Sequence, residues 1–270
     1  NKVEHIKFKD LKTTDKLIEA YSKSSFQARK IGHGAKLYKK ELNRGTTIIW
    51  SLAGSIFSAG LRELVIDSIR KNLVDCLVCT GALFEQDMLE ALGYNHYVQT
   101  EEIEDKTLQN LLIDRIYDHL LDEIELQHVD ETYKKIAKQM DSGNYSSREF
   151  MEYCGKWLSN VKDANDSVIL AAYEMNVPIF IPAINDCSIG IGLAMNQSEE
   201  TNGISIDSIK DLREIAKMKD LCGDSGIVIV GGGVPKNYSQ DSVVMAEMLG
   251  YKVKKHRFGI QISTADPRDG

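Results

Sequence analysis

Four short loops hold most of the residues able to do chemistry, and each follows an apolar, strand-like run. Gly231-Gly232-Gly233 comes directly after GIVIV at 226–230. Three successive residues without Cβ let backbone amides approach a phosphate or a ring closely and permit positive φ, although a tight turn needed only for packing would use them too. The order is not G-x-G-x-x-G, so the ordinary dinucleotide fingerprint is absent. Thr80-Gly81-Ala82 follows VDCLVC and leads into Glu85, Gln86 and Asp87. Small residues leave room there, and a hydroxyl with acids suits a ribose or an amine; acids in a first helical turn are also favoured by the helix dipole alone. Asp186, after VPIFIPAI, suits ribose hydroxyls or a cationic substrate, or an Asx turn that caps the next segment. Ser55 and Ser58 open a helix, where N-capping is the ordinary explanation.

Other chemistries find no footing. The six histidines show no metal-ligand spacing with cysteine or acid partners, so no metal is expected. A G-x-S-x-G elbow is missing. Cys76 and Cys79 form a C-x-x-C, but Leu77 and Val78 between them make the run read as a buried strand rather than a zinc or redox site.

The elements that must carry these loops follow one grammar. TTIIWSL at 46–52, VDCLVC at 74–79, VPIFIPAI at 177–184 and GIVIV at 226–230 are short apolar strands, each running into a glycine-bearing or small polar loop. Helical spacing is read at 55–70, 85–92, 167–175, 206–218 and 239–249, with a last strand at 258–263. Alternation of this kind predicts an α/β fold: a Rossmann-like, mostly parallel sheet with helices on both faces. Ligands of such sheets collect outside the carboxyl ends of the strands, where all four loops fall. Residues 11–43 read as two helices broken around Gly32 and Gly34. The stretch of about 107–160 reads as a helical insertion, striped by Tyr117, Leu120, Leu121 and Ile124, with solvated acids at 101–105 and 122–125. The whole is expected to be one domain over 1–270, with N-terminal helices in 1–45.

The bulk numbers exclude further classes. With 43% hydrophobic and 27% charged residues over 270 positions, the chain can bury a sizeable core and is not disordered. A net charge of −7 without a basic block argues against nucleic acid and leaves room for a cationic small substrate. Five cysteines, an odd number scattered through apolar or mixed sequence, read as reduced thiols and a cytoplasmic location. No apolar run reaches the ~20 residues that cross a bilayer, so no membrane role is expected. A start at Asn1 without methionine and a stop at Gly270 just after a strand read as part of a longer protein.

Taken in order, SSFQARKIG at 24–32, FSAGLRE at 57–63, VDCLVCTGALFEQD at 74–87, VPIFIPAINDCSIG at 177–190, IVIVGGGVPKN at 227–237 and ISTADPRDG at 262–270 resemble the deoxyhypusine synthase family along nearly the whole chain. The resemblance implies NAD as cofactor: it takes a hydride from spermidine, 1,3-diaminopropane leaves, and the aminobutyl group passes through a lysine to an acceptor amine before the hydride returns. It implies that Ser55, Ser58, Thr80, Gly81, Ala82, Asp186, Gly231, Gly232, Thr264, Ala265 and Asp269 surround NAD, and that Glu85 and Gln86 face the cofactor or the polyamine. It further implies a homotetramer, spermidine or a related polyamine as substrate, and a lysine of the hypusine-bearing translation factor as acceptor.

Three positions depart from the family pattern. Gln86 replaces an acid, Asn237 a histidine in the polyamine site, and Ile191 an aspartate. An ammonium deprived of a carboxylate needs another partner, so polyamine recognition is expected to differ. The family's catalytic lysine belongs to a segment expected beyond Gly270, and Lys236 matches a different position, so no catalytic residue is assigned within 1–270. Transfer to putrescine as in homospermidine synthases, a non-catalytic NAD-binding regulatory paralogue, and an ordinary NAD dehydrogenase stay open as alternatives.

Overall fold

The structure, a computed structural model, describes residues 2–199 and 203–266. The chain divides into a compact unit of residues 1–47 and a second of 48–270. In the first, α1 (Thr14–Lys23) packs on α2 (Phe26–Leu42). The helices break at Ser24-Ser25, not around Gly32 and Gly34 as the sequence suggests. Gly32 lies inside α2 because the helices cross closely there: a Cβ on it would sit 2.5 Å from the Ser22 backbone nitrogen. Its role is close approach rather than breakage.

Chain order then runs β1 (Thr47–Leu52), a π-helical turn at Phe57–Leu61, α3 (Arg62–Arg70), β2 (Cys76–Cys79), α4 (Gly81–Ala91), β3 (Tyr97–Val98), α5 (Asp105–Asn110), β4 (Ile113–Ile116) and β5 (His119–Asp122). It continues through α6 (Glu123–Lys138), β6 (Gly143–Tyr145), α7 (Ser147–Leu158), α8 (Val168–Met175), β7 (Ile179–Phe180), α9 (Ser188–Glu199) and β8 (Ile204–Ile206). It closes with α10 (Ser208–Cys222), β9 (Ser225–Val230), α11 (Gly233–Met248) and β10 (Phe258–Ile262).

The central sheet has the order β10-β9-β1-β2-β7, with parallel registers between β1 and β2, β2 and β7, and β9 and β10. Its four-residue β2 is buried throughout, as a strand covered on both faces requires. One face carries Leu52, Leu77 and Cys79 against a large core that includes α3, α4 and α6 to α9. The other presents Ile49, Cys76, Val78, Ile227 and Ile229 to Ile215 of α10 and Tyr238 of α11. The mostly parallel sheet with helices on both faces is therefore the architecture that the strand grammar predicts.

The stretch of about 107–160 departs from a purely helical reading. Alongside α6 and α7 it contains the hairpin β4–β5, which with β3 makes a three-stranded antiparallel sheet. Tyr117 turns the hairpin with φ of 58°, a conformation unusual for a bulky residue and absent from turn signatures built on glycine or asparagine. Asp122, read among solvated charges, instead caps α6 by accepting the amides of Ile124 and Glu125 at 2.8 and 3.2 Å. No helix among the described residues is long and apolar enough to cross a membrane.

Candidate functional site

The strand order reverses between β1 and β9: the chain proceeds outward through β2 and β7 on one side and β9 and β10 on the other. At such a switch point neighbouring loops leave the sheet in opposite directions and open a crevice at the carboxyl ends of the strands. A cleft of ≈ 530 Å³ lies there. Ser55 after β1, Thr80, Gly81 and Ala82 after β2, Asp186 after β7, and Gly231 and Gly232 after β9 all line it. Four loops far apart in sequence thus meet in one place.

Each loop has a local cause. Gly231 has φ of 82°, and a Cβ on it would lie 3.0 Å from the Ala53 carbonyl oxygen, so glycine serves both the turn and the approach to the β1 loop. At Gly233, with φ of 60°, a Cβ would meet nothing within 4 Å among the described residues, which leave the start of the 16-residue α11 open to a ligand. Gly81 starts α4 against Cys187, whose Sγ would lie 2.2 Å from a Cβ there. Among the described residues the Thr80 hydroxyl oxygen, buried though its residue lines the cleft, has no hydrogen-bond partner. An open helix N-terminus, close-approach glycines and an orphaned hydroxyl fit a ligand carrying phosphate and hydroxyl groups.

Beside the cleft, the Glu85 carboxylate accepts the Ser188 amide at 3.0 Å, at the first residue of α9. Burial raises the Glu85 carboxyl above its ordinary range, the Ser188 amide and hydroxyl oppose the rise, and Asp130 and Asp186 add to it. Asp130 on α6 is likewise raised by burial, and the Ser188 hydroxyl counteracts this. Sequence reading missed Asp130, which lies in the stretch taken as a helical insertion; only the packing of α6 on α9 brings it to Ser188.

The remaining expected residues are placed as follows. Ser58 is buried in the π-helical turn outside the cleft lining, its amide donating to Gln86 Oε1 at 3.2 Å and its own hydroxyl oxygen without a partner among the described residues. Thr264 and Ala265 are exposed after β10, with the Ala265 amide donating to Ser263 Oγ at 3.1 Å, and they are not in the cleft lining. Asn237 is exposed on α11 and Ile191 is half exposed on α9. Asp269 lies outside the described residues. Among the described residues no group of histidine, cysteine and acids could hold a metal ion.

Fold and site together define a doubly wound α/β protein with a cleft at its topological switch point. Comparison with known proteins sharpens this. The family description "Deoxyhypusine synthase" matches residues 16–270. A deoxyhypusine synthase-like protein of Elusimicrobium minutum is 40% identical over 99% of this chain and 72% of its own length. One from Chlorobaculum parvum is 44% identical over 94% and 74%. In fold, a crystal structure assigned as a deoxyhypusine synthase from Entamoeba histolytica matches with a TM-score of 0.66 at 20% identity, covering 97% of this chain and 88% of that one. The chain belongs to the deoxyhypusine synthase family, and that membership supports an aminobutyl-transferase function.

Proposed function

We propose that the protein binds NAD in the switch-point cleft and uses it to transfer the aminobutyl group of spermidine, or of a related polyamine, to an acceptor amine. The observation that carries the reading is the convergence of Ser55, Thr80–Ala82, Asp186 and Gly231–Gly232 on one cleft. When bound, NAD supplies a reversible hydride acceptor for the carbon next to an amine.

The chain's own residues would then act as follows. The Gly231–Gly233 backbone comes close to the pyrophosphate and the amino end of α11 offsets its charge. Thr80 Oγ1 finds the hydrogen bond it lacks within the protein. Asp186, exposed at the mouth, accepts from ribose hydroxyls or from an ammonium. Glu85 and Asp130, drawn together around Ser188, favour a cation nearby, because its attraction for the carboxylates would offset the burial that raises both carboxyls. Among the described residues the cleft lining carries no lysine, so the roles assigned are binding and orientation rather than nucleophilic attack.

The test is incubation of the full-length protein with NAD and spermidine, with and without putrescine, followed by mass spectrometry. Release of 1,3-diaminopropane is expected, and the arm in which a conjugate accumulates distinguishes a free diamine acceptor from a protein lysine. If 1,3-diaminopropane appears in neither arm, the reading is wrong.

A further inference from the structure

A buried ionic clamp ties together two of the loops that line the cleft. Asp87, fully buried on α4, accepts from Arg62 Nε at 2.8 Å, from the Val168 amide at 2.9 Å and from the Ile169 amide at 3.0 Å. Arg62 is 5% exposed and also reaches Glu63 at 3.0 Å, Glu90 at 3.3 Å and the Asp166 carbonyl. One residue before Asp87, Gln86 accepts the Ser58 amide. Successive residues of α4 therefore grip both ends of one short segment: Gln86 holds Ser58, and Asp87 holds Arg62 just past Gly60.

That segment needs holding. It is a π-helical turn interrupted by Gly60 at φ 85°, so its own backbone bonds do not fix it as an α-helix would. It connects the cleft residue Ser55 to α3, while α4 begins at the cleft residues Gly81 and Ala82. A carboxylate with three donors and a guanidinium with fixed fork geometry define direction as well as distance.

We propose that Arg62 and Asp87 are positioning residues that set the loop after β1 against the loop after β2, and so present Ser55 to the ligand of the cleft. The proposal rests on the NAD reading only for the identity of that ligand. A merely stabilising ion pair predicts something different: replacing both partners by neutral residues is commonly tolerated or stabilising, whereas removing one strands a buried charge.

The experiment compares Asp87→Asn, Arg62→Lys and the double variant Arg62→Met/Asp87→Asn in the full-length protein. It measures thermal stability, amide hydrogen exchange over residues 55–61, and NAD affinity by calorimetry. The expected result is a double variant whose melting temperature recovers relative to Asp87→Asn, while exchange at 55–61 stays about tenfold faster than wild type and NAD binds about tenfold more weakly, the scale of one lost buried hydrogen bond. Arg62→Lys, which keeps the charge and loses the fork, carries the same readouts should Asp87→Asn not fold. Wild-type exchange in the double variant and in Arg62→Lys would overturn the clamp. Failure of the wild-type protein to bind NAD would instead sink the cofactor assignment, and the exchange measurement still decides the clamp.

Discussion

Lys219 is 1% exposed on α10, and its Nζ has no hydrogen-bond partner among the described residues. Burial lowers the amine below its ordinary pKa; Cys222 and Asp224 pull it back up, and Lys254 pushes it further down. His256, whose own pKa burial also lowers, feels the Lys219 charge. Replacing Lys219 with Met keeps an unbranched side chain of similar length and removes the amine. We expect stability at pH 7 to rise by ~1–3 kcal/mol, the scale of an uncompensated buried polar group. For a chain of this size that corresponds to very roughly 2–4 °C in Tm per kcal/mol. The sign with pH follows from linkage. The unfolded amine titrates near 10.5 and the folded one lower, so between those values the unfolded state binds the extra proton. Wild-type stability should therefore climb with pH across that window, by up to ~1.4 kcal/mol per pH unit for a single proton. The advantage of Lys219→Met should shrink accordingly and level off near pH 10.5, where only the cost of burying the neutral amine is left. Urea denaturation of both proteins from pH 6 to 10.5 measures it. A variant less stable than wild type at pH 7, or a difference that does not change with pH, would refute the reasoning, because either result means the ammonium is well compensated in the fold.

Gly231→Ala places a Cβ in a left-handed conformation and 3.0 Å from the Ala53 carbonyl, so it should cost ~1–3 kcal/mol in a urea titration and weaken the proposed NAD binding, measured by calorimetry. Gly192→Ala would put a Cβ 2.6 Å from the Asp130 carbonyl oxygen and force α6 and α9 apart; a loss of ~1–3 kcal/mol is expected, and an unchanged Tm would contradict the close crossing. Asp211, whose carboxyl burial pushes up to about 6 despite the Ser147 hydroxyl and the Ser147 and Arg148 amides that oppose it, favours the folded state when protonated. That contribution is complete below the unfolded value of 3.8 and is lost as pH rises through about 6. Asp211→Asn should flatten this part of the stability profile, read as urea midpoints from pH 3.5 to 7.

Much of the sheet was legible because its strands are short, apolar and followed at once by loop-forming residues. TTIIWSL, VDCLVC and GIVIV correspond to β1, β2 and β9, and each loop read as chemical lines the cleft. VPIFIPAI gives only a two-residue strand, since prolines on either side limit its pairing. The hairpin at 113–122 was hidden because Tyr117, Leu120, Leu121 and Ile124 imitate a helical stripe, while its turn lacks a glycine or asparagine. Gly32 misled in the opposite direction: local propensity marks it as a breaker, and only the α1–α2 crossing shows why a helix keeps it. At the site, the small residues could be read from spacing, but the meeting of Asp130, Glu85 and Ser188 and the grip of Asp87 on Arg62 depend on helices distant in the chain. No local pattern announces such partners.

β1 occupies the middle of the sheet, flanked by β2 on one side and by β9 on the other. During synthesis its first neighbour emerges soon after it, but the second arrives only when Ser225–Val230 leaves the ribosome. Until then the strand keeps one row of peptide groups unpaired and the cleft lacks its glycine wall. Pairing over so long a separation is entropically slow, so the nascent chain carries an open apolar edge until β9 has emerged and paired. The same arrangement that gathers the four loops at one point thus makes the cleft wait for its most distant strand, since its two walls cannot face each other before β9 docks beside β1.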